Sequence, residues 1–198
     1  MSAPSPVDPV TDQALALLRQ LGADDVPHPG GTLRAHLRRV QRQLAAWGAR
    51  PALQLAGLCH AVYGTDGFAA ALLPVDRRPF LASVIGVEAE SIVYLYACCD
   101  RAATYPSFAD PDAPFRDRFT GRSHTPSPAR RRDFAELTAA NELHLVRRDP
   151  AFRGEWDSEL RTLFLSLHPF LGPAARRDCV AVLGESESDI GTVDPKLC

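Results

Sequence analysis

Apolar residues recur at helical spacing through most of this chain. Leu33, Leu37, Val40, Leu44 and Trp47 fall at alternating steps of four and three, which predicts one buried face on a helix from Thr32, its N-cap, to Trp47. Gly48 should end that helix, and Pro51 suits the first turn of the next, expected over residues 51–62. An earlier helix is predicted over 10–21, ending at Gly22. After Gly64 and Gly67 the periodicity lapses, then resumes over 77–85 and 88–101, where "EAESIVYLYACCDR" has the apolar middle of a core helix. Residues 104–128 are rich in Pro, Asp and Arg. Within them "FRDRFTGRSH" predicts a short hairpin turning near Thr120-Gly121. Helices return over 129–147, 156–167 and 173–183. The pattern predicts an all-α helical bundle interrupted by one long irregular loop, and such a loop in a compact domain is more often functional than idle.

The 198 residues predict one domain over 10–184. The Pro/Ser-rich segment 1–9 and the acidic, apolar-poor tail 185–198 are expected to lack order. A net charge of −2 gives no reason to expect nucleic acid as a partner, and the Arg130-Arg131-Arg132 run reads as a solvated helix face. No apolar run approaches membrane-spanning length, and "MSAPSPVDPV" has neither the basic nor the apolar part of a signal peptide. The five cysteines form no CxxC pair, so reduced, buried thiols in the cytoplasm are expected. A small molecule is the expected partner, with a homodimer as the candidate assembly.

The candidate chemistry lies on the two helices around Gly48. Joined by a tight turn near Ala49, they should run antiparallel as neighbours. His36 stands thirteen residues before that turn and Val62 thirteen after it, so His60 comes within about one helical turn of His36. Each histidine borders an apolar stripe. Two imidazoles at the end of a helical hairpin suit either metal binding or proton transfer.

The order of motifs adds a resemblance. His36, "LQLAGLCHAVYGTDGF", "FLASVIGVEAESIVYLY" and "LTAANELHLV" together resemble the HD superfamily, nearest to the hydrolase domains that act on the stringent-response nucleotide. The likeness spans residues 32–146. The chain is also similar to an HD-like group in which His-Ser or His-Ala precedes Tyr-Gly-Thr. Here "AGLCHAVYGT", Trp47-Gly48 and "AANE" carry the likeness.

The resemblance implies a ligand set of two histidines and two aspartates around divalent metal, and this sequence departs from it. Ala61 stands where the HD aspartate belongs, and Asn141 where the distal aspartate belongs. Only His36 and His60 remain, and two neutral imidazoles offer magnesium little. Two expectations follow. The first is a cofactor-free pocket for acid/base chemistry on a small molecule: isomerase, cyclase, lyase or hydrolase, suited to bacterial specialised metabolism. Its catalytic candidates are His60, His36, Asn141, Tyr63 and Asp66, and its substrate-binding candidates are Thr65, Glu142, His144 and Arg101. The second is a rebuilt site of His36, His60, His144 and Asp66 holding zinc, iron or manganese, as in a metal-dependent phosphohydrolase or oxygenase. A ligand-binding or regulatory module that has lost turnover is the non-enzymatic alternative.

Overall fold

The computed structural model describes residues 8–148 and 150–183. Helices dominate it, so the fold is all-α. The segments 1–7 and 185–198, expected to lack order, lie outside the described residues. Pro9 opens the first helix, with the Asp8 carboxylate accepting from Val10 N at 3.4 Å.

The helices are α1 (Pro9–Gln20), α2 (Leu33–Ala46), α3 (Pro51–Cys59), α4 (Arg78–Ile85), α5 (Val87–Ala97), α6 (Arg101–Thr104), α7 (Pro128–Arg148), α8 (Pro150–Leu167) and α9 (Pro173–Leu183). Two small antiparallel ribbons accompany them: β1 (Pro27–His28) with β2 (Gly31–Thr32), and β3 (Phe115–Arg116) with β4 (Ser123–His124). The second ribbon is the expected hairpin. The first was not foreseen, and it matters because it sets His28 beside the start of α2. Among the described residues no helix is long and apolar enough to cross a membrane.

The stripe predicted on α2 is the buried one: Leu33, Leu37, Val40 and Leu44 are fully enclosed. Thr32 caps the helix through Oγ1, which accepts from Ala35 N at 3.3 Å. Gly48 takes φ +77°, a conformation L side chains adopt reluctantly, and the chain turns into α3. The two helices approach closely because Gly57 has no side chain. A Cβ there would lie 2.5 Å from Leu44 Cδ1. Helix α7 is the axis of the bundle, touching α2, α3, α5, α8 and α9. Asp178 on α9 accepts from Trp47 Nε1 at 2.9 Å and Gln43 Nε2 at 2.8 Å, tying α9 to α2.

Two expectations fail for a shared reason, which is that the irregular loop claims groups the local pattern assigns elsewhere. The single helix expected over 88–101 stops at Ala97. Beyond it, Cys98 O accepts from Arg118 N at 2.7 Å, and Asp100 N donates to Arg116 O at 3.0 Å. The Asp100 carboxylate then caps a new short helix, α6. Arg131, expected on a solvated face, is 2% exposed. Its Nη1 and Nη2 donate to Phe108 O at 3.1 Å and Ala113 O at 2.6 Å. The guanidinium thus satisfies loop carbonyls that would otherwise be buried without donors.

Candidate functional site

Helix α3 ends at Cys59, and the residues after it build the site. His60 turns its Nδ1 back to donate to Gly57 O at 2.8 Å, filling one of the carbonyls a helix end leaves open. At Gly64, φ is +68° and the Phe68 and Ala69 carbonyls approach so closely that a Cβ would meet them at 3.2 Å. Thr65 and Phe68 then exchange backbone hydrogen bonds of 2.7 and 3.1 Å. This tight loop lays Thr65, Gly67 and Phe68 over a cavity of about 190 Å³, which His28, His36, His60, Tyr96, Arg101 and Asn141 also line.

Inside, three imidazoles and one amide form a connected set. His36 Nε2 lies 3.0 Å from Asn141 Oδ1 and 3.4 Å from His60 Nε2. His36 Nδ1 lies 2.7 Å from His144 Nδ1. The polarity follows from the two ends. Asn141 Nδ2 donates to Glu142 Oε1 at 3.2 Å, so Asn141 Oδ1 faces His36 and accepts from its Nε2–H. A neutral His36 then accepts at Nδ1, and His144 donates from its own Nδ1. Consistently, Arg39 Nη1 approaches His144 Nε2 at 3.5 Å as a donor. At the other end the Gly57 carbonyl holds the proton of His60 on Nδ1. That leaves His60 Nε2 to face His36 Nε2 at 3.4 Å and the Asn141 side chain, on a ring that walls the cavity.

Electrostatics favour the neutral forms of His60, His36 and His28. Burial pushes the pKa of His60 down to about 4, the Gly57 carbonyl opposes that shift, and the nearby charge of Arg101 adds to it. Burial also drives His36 far below the usual histidine range, helped by His60, His28 and His144. His28 shifts the same way on burial. Its ring stacks on His36 with centroids 4.0 Å apart, and its buried Nδ1 has no hydrogen-bond partner among the described residues.

The sequence candidates divide. His36, His60, Asn141, Thr65 and Arg101 come together around the cavity. Glu142 stands behind Asn141 and orients it. His144 joins through the nitrogen of His36 that faces away from His60, so it orients His36 rather than facing the cavity. Tyr63 is diverted: its hydroxyl donates to Glu90 Oε1 at 3.1 Å, in a separate cluster with Arg78. Asp66 is exposed, and its Oδ2 accepts from Arg101 N at 2.8 Å. Its role is to hold the start of α6. Sequence reasoning missed His28 and Tyr96. His28 sits in a loop with no periodicity to mark it, and Tyr96 was indistinguishable from the core residues of α5.

These positions bear on metal. The rebuilt set of His36, His60, His144 and Asp66 is not assembled. Among the described residues no three His, Cys, Asp or Glu side chains are disposed to hold an ion. His36 Nε2 and His60 Nε2 have the separation that two ligands of a tetrahedral ion need, roughly 3.3 Å. The third donor, however, is a neutral amide, Ala61 presents a methyl, and Arg101 brings positive charge to the same wall. The donor set does not fit a hard divalent ion. The described cysteines are equally unsuited as nucleophiles: Cys59, Cys98, Cys99 and Cys179 are buried, and burial pushes each thiol up to about 12.

A family model described as a domain of unknown function, DUF6817, matches residues 17–101. That stretch carries His28, His36, His60 and Arg101 but ends before Asn141 and His144, and it is less than half of the chain. No curated protein and no solved structure gives a match.

Proposed function

We propose that this chain is a small-molecule enzyme with an HD-like helical frame, in which imidazoles carry out acid/base chemistry where HD proteins hold metal. The observation that carries the reading is geometric: His60 Nδ1 lies 2.8 Å from Gly57 O, which assigns its proton there, and the ring walls a cavity that also presents the Arg101 cation. In the proposed reaction His60 Nε2 takes a proton from an acidic C–H or O–H of the bound molecule and becomes an imidazolium. With so low a pKa that imidazolium is a strong acid, and it returns the proton to another atom of the same molecule. Proton relocation, as in isomerisation, cyclisation or elimination, suits such a group better than hydrolysis, which would need an activated water. Arg101 stabilises the negative charge that develops once the proton has left. A cytoplasmic setting suits the free, buried thiols.

Nitrogen-15 NMR of the imidazoles tests the base directly. His60 and His144 should appear as the Nδ1–H tautomer and His36 as the Nε2–H tautomer at neutral pH. A His60 that is charged at neutral pH, or that carries its proton on Nε2, would sink the reading. In deuterated water the protein should catalyse exchange of an activated C–H proton in some member of a panel of unsaturated and 2-oxo carboxylic acids. His60→Ala should abolish that exchange, and exchange that survives the substitution would remove His60 from the mechanism.

A further inference from the structure

A second, larger cavity of about 810 Å³ abuts the first, and Gly67, Arg101 and Leu145 belong to the walls of both. The two chambers differ in character. The histidine cavity is small and lined by polar rings. The larger one lies between α6 and α8 and is walled mostly by apolar groups, chiefly Ala102, Pro106, Leu145, Leu160, Leu163 and the ring of Tyr105. Exposed Ser158 and Glu159 supply a polar edge. Such a volume is that of a site for a whole organic ligand.

Arg101 stands where the chambers meet. Its side chain is 26% exposed and its guanidinium is incompletely used. Nη1 reaches Glu142 Oε1 at 3.5 Å and Nη2 reaches the Tyr96 hydroxyl at 3.3 Å, both long for charge-assisted bonds. Nε has no hydrogen-bond partner among the described residues. Glu142 is the carboxylate that reaches this guanidinium, and it is shared with Asn141. Beside this cation the Tyr105 hydroxyl is buried without a hydrogen-bond partner among the described residues. Burying a hydroxyl without a partner is costly, and a ligand's polar group entering at the junction would relieve it.

We propose that the ligand is a carboxylic acid with an extended apolar tail. Its carboxylate sits on Arg101 at the junction, its tail lies in the α6–α8 chamber, and the carbons next to the carboxylate face His60. The inference takes the His60 cavity as the reacting end, and so rests on the reading above. A polar metabolite without a tail would leave the larger chamber unused, and an amine would meet Arg101 as a like charge.

Isothermal titration of the full chain with butyrate, octanoate, dodecanoate, octanol and octylamine tests the assignment. Affinity should rise roughly fourfold per added methylene until the chamber is full. Octanoate should bind about tenfold more tightly than octanol, the margin expected of a charge-assisted hydrogen bond, with octylamine weaker still. Ala102 is small and exposed, so Ala102→Trp can fill the chamber without disturbing the core. It should flatten the chain-length series. Arg101→Gln keeps the backbone bond to Asp66 and should erase the preference for octanoate over octanol. Equal affinity across the chain lengths in the unmodified protein, a length dependence that survives Ala102→Trp, or a preference for octylamine would overturn the inference. The two readings fail separately. Length-dependent binding with a charged His60 keeps the ligand class and removes the base. Exchange on short polar acids with no length dependence keeps the base and removes the ligand class.

Discussion

Two buried polar clusters hang from the same end of α3, and they are built to opposite standards. Three residues past His60, Tyr63 points the other way into a cluster with Glu90 and Arg78. There every carboxylate oxygen is engaged. Glu90 Oε1 accepts from Tyr63 and, at 2.7 Å, from Arg78 Nε, while Oε2 accepts from Arg78 Nη2 at 3.0 Å. The guanidinium lies 3.6 Å above the Tyr94 ring, and none of these groups lines either cavity. In the histidine cluster contacts stretch to 3.4 and 3.5 Å, the His28 Nδ1 lacks a partner among the described residues, and a void stands open beside them. Buried polarity is therefore no functional signal by itself. A closed network specifies a fold; a loosely engaged one facing a cavity leaves donors and lone pairs for a ligand.

Breaking the closed cluster should have the largest effect on stability. Glu90→Ala strands Arg78 and Tyr63 and should cost about 3 kcal/mol in urea unfolding, with octanoate affinity unchanged in the folded protein. A loss of affinity as large as the loss of stability would mean that the two clusters are one unit.

Acid should act on the open cluster. The folded-state pKa of His60, about 4, lies below its unfolded value, so the unfolded chain takes up the proton first. Stability should be flat above about pH 6.5 and fall toward about pH 4, by roughly 3 kcal/mol from His60. His36 adds a contribution of the same sign. Unfolding midpoints measured across that window check this, and a stability that rises with acid would contradict the neutral assignment.

Gly57→Ala should act on the spacing between α2 and α3. The gain in helix propensity is outweighed by the displacement of Leu44 in a filled core, for a net loss of about 1 kcal/mol. The His36–His60 distance should widen, and exchange should fall more than stability does.

His60→Leu completes the contrast and should change stability least. An apolar side chain of similar size fills the space of the ring, and the loss of the bond to Gly57 O is offset by the removal of a buried polar group, so unfolding should shift by no more than about 1 kcal/mol, while proton exchange disappears. A loss comparable to that of Glu90→Ala would show that the histidine cluster is structural after all.

The hydrophobic pattern was enough to place the main helices, though not the ends of α3 and α5 or the short α6, because periodicity reports which face is buried wherever the rest of the chain happens to lie. Gly48 and Pro51 fixed the α2–α3 hairpin, and with it the nearness of His36 and His60, since both histidines are placed by counting outward from one short turn. The resemblance to HD motifs put Asn141 opposite them. What no local rule encodes is the partner each polar atom finds across the fold. The irregular loop captured the carbonyl of Cys98 and began α6 at Arg101, which brought a cation to the cavity that a continuous helix would have carried elsewhere. The β1–β2 ribbon delivered His28, Glu90 drew Tyr63 away, and Arg101 N engaged Asp66. Hydrogen-bond direction at an imidazole is settled by neighbours more than a hundred residues distant in the chain, as at His36 and His144. The sequence therefore set the positions of His36 and His60, and tertiary packing decided which nitrogen of His36 and His144 holds the proton.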